Sequence, residues 1–389
     1  MLTRRKFMSS GLRTAGAVAA ASAATGILAG CAHSVHGHPA LAMVDRKITG
    51  KASLKAHAAA HGLLAGAAVN TRLLRSDANY ARILREQYDL VVAENAMKWG
   101  PLRPAPDKYF FDDADALVAF AEQNKMKVRG HNLAWHEALP GWFAGTVNKE
   151  NAQRFLTDHI ATVAGRYKGK IRSWDVVNEA IEVKDGRPDG LRKSPWLELL
   201  GPGYIDIAFR AARQADPRAL LTYNDYGIEY DNDAEAKKRE FILQLLRRMK
   251  ADNVPLDALG IQSHIKAGSS SSIGKGIQDY IASARALGLQ VFLTELDVND
   301  DELPYSDVAQ RDHAIAGVYQ SYLDTVLPDP AVKSVLTWGV TDRYTWLNYI
   351  SEHRKKQPER RQRPLLFDDN YQPKEAFFAM RGSFDRRQV

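Results

Sequence analysis

Beyond residue 60 the chain repeats one alternation: a short apolar run, a polar turn, a longer stretch with helical spacing, then another short run. The short runs are LLAGAAV (63–69), DLVVAE (89–94), KVRGH (127–131), SWDVVN (173–178), LLTYN (220–224), ALGIQ (258–262), VFLTE (291–295) and SVLTW (334–338). Between them lie helix candidates such as SDANYARILREQY, read with Ser76 as its cap, GYIDIAFRAARQAD and AEAKKREFILQLLRRMKAD, with a last helix expected near Pro373. Strands that are apolar on both faces and joined by helices predict a parallel sheet covered on both sides. Eight such units in roughly 330 residues predict one closed (β/α)8 TIM barrel, a single domain with enlarged loops. A doubly wound open sheet is the alternative. The first run is not followed by G-x-G-x-x-G, which counts against the nucleotide-binding version of that sheet.

Polar residues collect where the runs end. Glu94 and Asn95 follow the second run, and His131 closes the third. Asn178 and Glu179 follow the fourth, Asn224 to Tyr226 end the fifth, and Gln262 and His264 the sixth. Glu295 closes the seventh and Trp338 the eighth. Barrels of this kind place their active sites at the C-terminal ends of the strands. A carboxylate at the end of a buried strand is costly unless it is paired or used. Either Glu179 or Glu295 alone reads equally well as half of an ion pair. The two together, among His131, His264, Trp135, Trp338 and Trp346, point to the paired carboxylates of glycoside hydrolysis. One would protonate the leaving oxygen; the other would attack the sugar carbon or activate water. Indoles suit the apolar faces of sugar rings, while amides, carboxylates and lysine suit the hydroxyls. Trp99, Trp142 and Trp196 read as core. Asp297 shares a strand face with Glu295.

Composition narrows the class without changing the fold. The chain has 389 residues, 45% hydrophobic and 25% charged, which suits a globular protein with a large core. The +7 net charge includes Arg4, Arg5, Lys6 and Arg13, with no acid before residue 31, which leaves +3 for the rest. That gives no case for nucleic acid. His131 and His136 could suggest a metal, but alternation turns only one of them toward the mouth and no third ligand lies at suitable spacing, so no metal or cofactor is expected. No G-x-S-x-G elbow supports a Ser-His-Asp hydrolase.

The first fifty residues read differently. Arg4-Arg5 in TRRKF, followed by an Ala-rich run from Thr14 to Gly30, resembles a bacterial twin-arginine export signal. LAGC at 28–31 resembles a lipoprotein box and makes Cys31 the lipidation candidate; the small-residue stretch at 40–42 offers soluble release instead. The expected division is a signal over 1–30, a linker over 31–50 and a barrel over 51–389. The expected address is the periplasm or a membrane anchor, with secretion as the alternative. Cys31 is the only cysteine, so no internal disulfide forms.

SWDVVNEAIE (173–182) and VFLTELDV (291–298) resemble the acid/base and nucleophile segments of family 10 glycoside hydrolases, the endo-1,4-β-xylanases. The likeness continues through AENAMKW (93–99), RGHNLAWH (129–136), LPGWF (139–143), YNDY (223–226), GIQSHI (260–265), LTWGVTDRYTWL (336–347) and PLLFDDNYQPKEAF (364–377). The resemblance implies a retaining double displacement with Glu179 as acid/base and Glu295 as nucleophile. It implies that Asn178 hydrogen-bonds the sugar 2-hydroxyl and that His264 sits between Glu295 and Asp297. Glu94, Asn95, Lys98, His131, Trp135, Gln262, Trp338 and Trp346 would line the non-reducing side, and Tyr226 the leaving-group side. Xylan and xylo-oligosaccharides are the expected partners, and a monomer the expected state.

Two departures bear on substrate detail. Gly227 stands where the family often has Asn after NDY. The segment LNYISEHRKKQPERRQRPLL (347–366) is longer and more basic than the family's usual loop, with Arg354, Lys355, Lys356, Arg360, Arg361 and Arg363. It reads as a solvated loop or as a site for acidic xylan substituents. Cleavage of another β-linked glycoside, or an inactive polysaccharide-binding protein, are the alternative functions.

Overall fold

A computed structural model describes residues 47–350 and 359–388. Cys31, the export segment, Arg354, Lys355 and Lys356 lie outside the described residues. The strands are β1 (Leu64–Val69), β2 (Leu90–Ala93), β3 (Lys127–Ala134), β4 (Ser173–Asn178), β5 (Leu220–Asp225), β6 (Ala258–Ile261), β7 (His264–Lys266), β8 (Gln290–Asn299) and β9 (Val332–Thr337). β1 to β6 pair in sequence and in parallel, β6 pairs with β8, β8 with β9, and β9 returns to β1 with Leu64 opposite Ser334. This is the closed eight-stranded (β/α)8 barrel that the alternation predicted. β7 continues the line of β6 after a break at Gln262 and Ser263, and pairs higher on β8, His264 opposite Asp297.

The two-residue period of the strands sorts side chains into two layers. Ala68, Leu90, Val92, Leu336 and Trp338 pack together inside the barrel. Their neighbours Ala67, Val69, Val91, Ala93 and Val335 join the larger core between strands and helices. Both layers are apolar, so the strands read as continuous apolar runs.

β3 and β8 extend past their predicted ends at His131 and Glu295. The extra residues alternate polar and apolar, with Leu133, Ala134, Leu296 and Val298 buried beside Asn132 and Asp297. They stay extended because the neighbouring strands pair with them, Val177 opposite Ala134 and His264 opposite Asp297. The helix read from Ser76 starts later. Ser76 ends a short helix (Thr71–Ser76), and Asp77 caps the next (Ala78–Gln87) by accepting from the N–H groups of Asn79 and Tyr80. The last helix (Glu375–Arg386) packs on the helix Val308–Val326 and on Leu54–Ala60. Arg387 then donates to the carbonyls of His61, Leu327 and Val332, tying the C-terminus to the barrel floor. Residues at the end of the segment read as linker are also tied down: the Ile48 carbonyl accepts from Gln87 and that of Lys47 from Arg381. Among the described residues no helix is long and apolar enough to cross a membrane.

One close approach inside the barrel shapes the site. In the β5–β6 pairing Asn224 lies opposite Gly260. A Cβ on Gly260 would fall 2.2 Å from Asn224 Oδ1 and 3.1 Å from Thr294 Cγ2. The Asn224 amide therefore occupies space that only glycine leaves open. Gly260→Ala should cost about 1–3 kcal/mol, read as a lower urea midpoint with an unchanged slope. A wild-type midpoint would mean that Asn224 moves aside freely.

Candidate active site

Glu179 and Glu295 stand at the mouth on β4's end and on β8. Glu179 takes a left-handed backbone, φ +58. Its N–H donates to the Asn224 carbonyl (2.8 Å), and its own carbonyl accepts from Arg192 Nε (2.7 Å). Glu179 Oε1 accepts from Gln262 Nε2 (2.9 Å) and Asn178 Nδ2 (3.1 Å). Glu295 Oε1 accepts from Asn224 Nδ2 (2.8 Å), which also reaches Asn178 Oδ1 (2.9 Å). A line of hydrogen bonds, Glu179–Asn178–Asn224–Glu295, thus joins the two carboxyl groups. Thr294 Oγ1 donates to Asn224 Oδ1 (2.8 Å), which orients the Asn224 amide so that its nitrogen faces Glu295.

The second oxygen of Glu295 meets a histidine. His264 Nε2 lies 3.4 Å from Glu295 Oε2, and Nδ1 lies 2.9 Å from Asp297 Oδ1. Trp346 Nε1 donates to Asp297 Oδ2 at 2.7 Å. An imidazole with a carboxylate at each nitrogen is served by carrying both protons. Burial opposes that charge on His264, but Asp297 and Glu295 outweigh it and hold the imidazole well above its usual value.

The two glutamates are displaced in opposite directions. Burial pushes the Glu179 carboxyl up; the Gln262 amide works against this, while the Asp225 and Glu295 carboxylates add to it. Burial also disfavours charge on Glu295, but the His264 hydrogen bond, the His131 and His264 imidazoles and the Asn224 amide bring its carboxyl below the usual range.

The walls follow from the same strand ends. His131 Nδ1 bonds Asp175 Oδ2 (2.9 Å), and Asp175 also pairs with buried Arg129. Trp338 meets His131 edge-on with ring centres 5.4 Å apart, and Trp346 tilts over His264 at 5.1 Å. Lys98 Nζ donates to Asn95 Oδ1 (3.0 Å) and sits 5.2 Å from the centre of the Trp135 ring. Burial lowers the Lys98 pKa, against the pull of Glu295, Glu94 and Glu179. Burial raises the carboxyl of Glu94 although Lys98 opposes it. Beyond Glu179, Tyr226 accepts from Arg192 Nη2 (3.1 Å) and lies under Lys238 Nζ, 4.0 Å from the ring centre. The sequence-predicted mouth residues are therefore joined contact by contact around the two carboxyl groups.

Several participants were not singled out by the sequence. Asn224 ended the fifth run but was not read as a link between the glutamates. Asp175, an acid inside an apolar strand, was a signal; Arg192 had none. Only one of His131 and His136 was expected at the mouth. Both border it, because β3 ends at Ala134 and the chain turns. His136 Nδ1 comes within 4.0 Å of Glu179 Oε2, and burial, with Arg192 adding to it, brings its imidazole down to about 4. Trp99 and Trp196 are core and Trp142 is half-buried; their indoles donate to the carbonyls of Leu133, Trp135 and Arg103 respectively. Gly227 adopts φ +64, a conformation that glycine and asparagine both tolerate, so the departure keeps the backbone.

The basic segment is partly committed to the framework. Arg363 pairs bidentately with Asp312, and Arg360 donates to the carbonyls of Asp300 and Leu303. Arg361 is exposed and donates to the Arg343 carbonyl. Among the described residues no group of His, Cys, Asp or Glu is arranged to hold a metal ion.

Residues 53–383 match the model of glycosyl hydrolase family 10. The chain is similar to endo-1,4-beta-xylanase B of Thermotoga neapolitana, 34% identical over 78% of this chain and 82% of that protein. It is similar to endo-1,4-beta-xylanase B of Paenibacillus barcinonensis, 37% identical over 82% of this chain and 94% of that protein. The crystal structure of xylanase 10B from Thermotoga petrophila with xylobiose superposes with TM-score 0.76 at 34% identity, covering 86% of this chain and 97% of that one.

The raised carboxyl of Glu179 has a thermodynamic consequence. A group whose folded pKa exceeds its unfolded value adds stability that is complete below the unfolded value and lost as pH rises through the folded one. At neutral pH that contribution is lost, because the unfolded chain gives up this proton more readily than the folded one. Glu179→Gln keeps an oxygen for Gln262 and Asn178, so it should melt above wild type at pH 7.5, with the gain vanishing near pH 4. Calorimetry at both values checks this; a variant less stable than wild type at pH 7.5 would contradict it.

Proposed function

Because the chain belongs to glycosyl hydrolase family 10, we propose that it is an endo-1,4-β-xylanase, hydrolysing internal β-1,4-xylosidic bonds of xylan with retention. The observation that carries the proposal is the opposite displacement of two neighbouring carboxyl groups. Glu179 is the group that keeps a proton and Glu295 the group that stays ionised, which is the division of labour that glycosidic cleavage needs. Glu295 attacks the anomeric carbon; the glycosidic C–O bond breaks, and the Glu179 proton passes to the departing oxygen. Forming the ester removes the negative charge on Glu295, which lowers the pKa of Glu179 and lets it act as base. Water then attacks the same carbon and gives its proton to Glu179, and the Glu295–carbon bond breaks.

The remaining side chains hold the sugar. Trp338 and Trp346, with Trp135 and Lys98, form the wall of the non-reducing side, and Glu94, Asn95, His131 and Gln262 supply hydroxyl partners there. Asn178 serves the 2-hydroxyl next to the cleaved bond. Tyr226, backed by Arg192 and Lys238, borders the leaving-group side. His264 and Asp297 orient the nucleophile. A role for the basic segment toward acidic xylan substituents falls to Arg354, Lys355 and Lys356, along with exposed Arg361, although it also meets the Arg343 carbonyl and Asp369, since Arg360 and Arg363 serve the framework. The twin-arginine and LAGC segments support export with a lipid on Cys31, and the protein is read as a monomer.

Product analysis on glucuronoxylan, with anomeric NMR at early times, tests the activity: β-configured xylo-oligosaccharides are expected, and α-products or no turnover would refute it. Glu179→Ala should lose about 10²–10⁴-fold on xylan, because a sugar leaving group needs a proton. It should still form the glycosyl-enzyme from a dinitrophenyl xylobioside, and azide should release it as the β-azide. Glu295→Ala should fail at the first step with either substrate. Exchanged results would reverse the assignments.

The address has its own test. Wild-type protein expressed in a bacterial host should partition with membranes and take up labelled fatty acid, and Cys31→Ser should do neither. Equal release of both proteins would exclude the lipid anchor.

A further inference from the structure

The reaction leaves the buried carboxyl group of Glu229, near the mouth, without a role. Glu229 lies in the turn after β5 and is 2% exposed. Its two oxygens serve two different backbone groups. Oε1 accepts from the Ser263 N–H (2.9 Å), and Oε2 accepts from the Ile228 N–H (2.8 Å).

Ser263 is no ordinary strand residue. It is where β6 gives way to β7, and it takes a left-handed φ of +66. A non-glycine residue in that region is sustained only where its surroundings fix it. Four contacts do so here: Ser263 Oγ with the Ile261 carbonyl (3.1 Å) and with Tyr322 Oη (2.7 Å), its N–H with Glu229, and its carbonyl, which accepts from the Asp297 N–H (3.4 Å). The residues on either side of this turn touch the two reacting carboxyl groups. Gln262 donates to Glu179, and His264 lies between Glu295 and Asp297.

We propose that Glu229 is a positioning residue for both carboxyl groups: by gripping the Ser263 turn it sets how Gln262 reaches Glu179 and how His264 reaches Glu295. The inference rests on the roles assigned to those two glutamates above. A carboxylate suits the task because both N–H groups need an acceptor. A glutamine offers one oxygen and turns an amide donor toward the other N–H.

The charges around Glu229 are few. Burial and Glu235 push its carboxyl up, while the N–H groups of Ile228 and Ser263 and the His264 imidazole oppose them. Glu235 is itself engaged by the Tyr230 N–H, and Arg239 by the carbonyls of Ile228 and Tyr230, with Asp231 3.9 Å from its guanidinium. The phenols of Tyr230, Tyr280 and Tyr322 complete the shell. His264, which also faces Asp297 and Glu295, is the positive group that links Glu229 to the nucleophile.

The test compares full-length wild type, Glu229→Gln and Glu229→Asp on xylan and on dinitrophenyl xylobioside. Glu229→Gln should lower kcat roughly tenfold to a hundredfold on both substrates, with KM moved far less. A slower first step on both substrates, with no rescue by azide, separates it from Glu179→Ala, which spares that step on the activated one and is relieved by azide. The acid limb of its kcat/KM profile should move to higher pH, because a weaker charge on His264 leaves Glu295 easier to protonate. Nitrogen-15 NMR of His264, assigned with a His264→Gln sample, should show the imidazole titrating at lower pH than in wild type. Glu229→Asp keeps both acceptors and the charge on a shorter arm, so it should restore the acid limb and part of kcat. A Glu229→Gln protein that merely melts earlier, with kcat, acid limb and His264 titration unchanged, overturns the inference. If only Glu229→Asp can be purified, an unaltered kcat overturns it and a fall in kcat at constant KM supports it. A wild type inactive on both substrates would refute the enzymatic reading, and the His264 titration would still decide the part played by Glu229.

Discussion

The amide of Asn224 holds the site together. Its nitrogen is shared between Glu295 and the Asn178 oxygen, and Asn178 passes the connection to Glu179. Two carboxyl groups in a mouth this enclosed could not both keep their charge without cost. The amide line places dipoles between them and fixes their orientation. Everything that lets Asn224 lie there is local: Gly260 leaves it room, and Thr294 settles which way the amide points.

Chemically identical side chains receive different protonation states because their neighbours differ. Glu295 sees imidazoles and an amide; Glu179 sees amides, a neutral histidine and other carboxylates. The asymmetry extends outward. Asp297 holds His264, Trp346 holds Asp297, and on the opposite wall Arg129 and Asp175 hold His131. Buried charges of this kind are weak contributors to stability taken pair by pair. Their value is in keeping rings and carboxyl groups at fixed angles, so that little reorganisation is needed when charge moves during reaction.

The barrel also bends its own regularity at the mouth. β6 breaks at Ser263, β8 shifts register between Leu293 and Leu296, and Glu179 takes a left-handed backbone. Each irregularity sits beside a group that the reaction uses. The basic segment after Trp346 shows the reverse: Arg360 and Arg363, which looked available for substrate, fasten the returning chain to the β8 loop and to Asp312.

The sequence by itself determined the barrel and the polar residues that stand at the ends of its strands, though not Asp175, Arg192 or His136. Apolar runs separated by helical stretches leave few folds open, and polar residues at run ends are visible because burial makes them expensive. It located Glu179, Glu295 and His264 for that reason, and the indoles of Trp135, Trp338 and Trp346 as surfaces for the faces of sugar rings. Export and Cys31 were also read there, outside the described residues. Only the tertiary structure decided which partner each polar group meets. Asn224 joins the glutamates across a glycine on the next strand, Arg192 folds back to the Glu179 carbonyl from farther along the same connection after β4, and His136 returns to the mouth after its strand has ended. Such contacts depend on strand register and on turns with positive φ. These are set by how distant segments pack against one another, so no local pattern of apolar and polar residues records them.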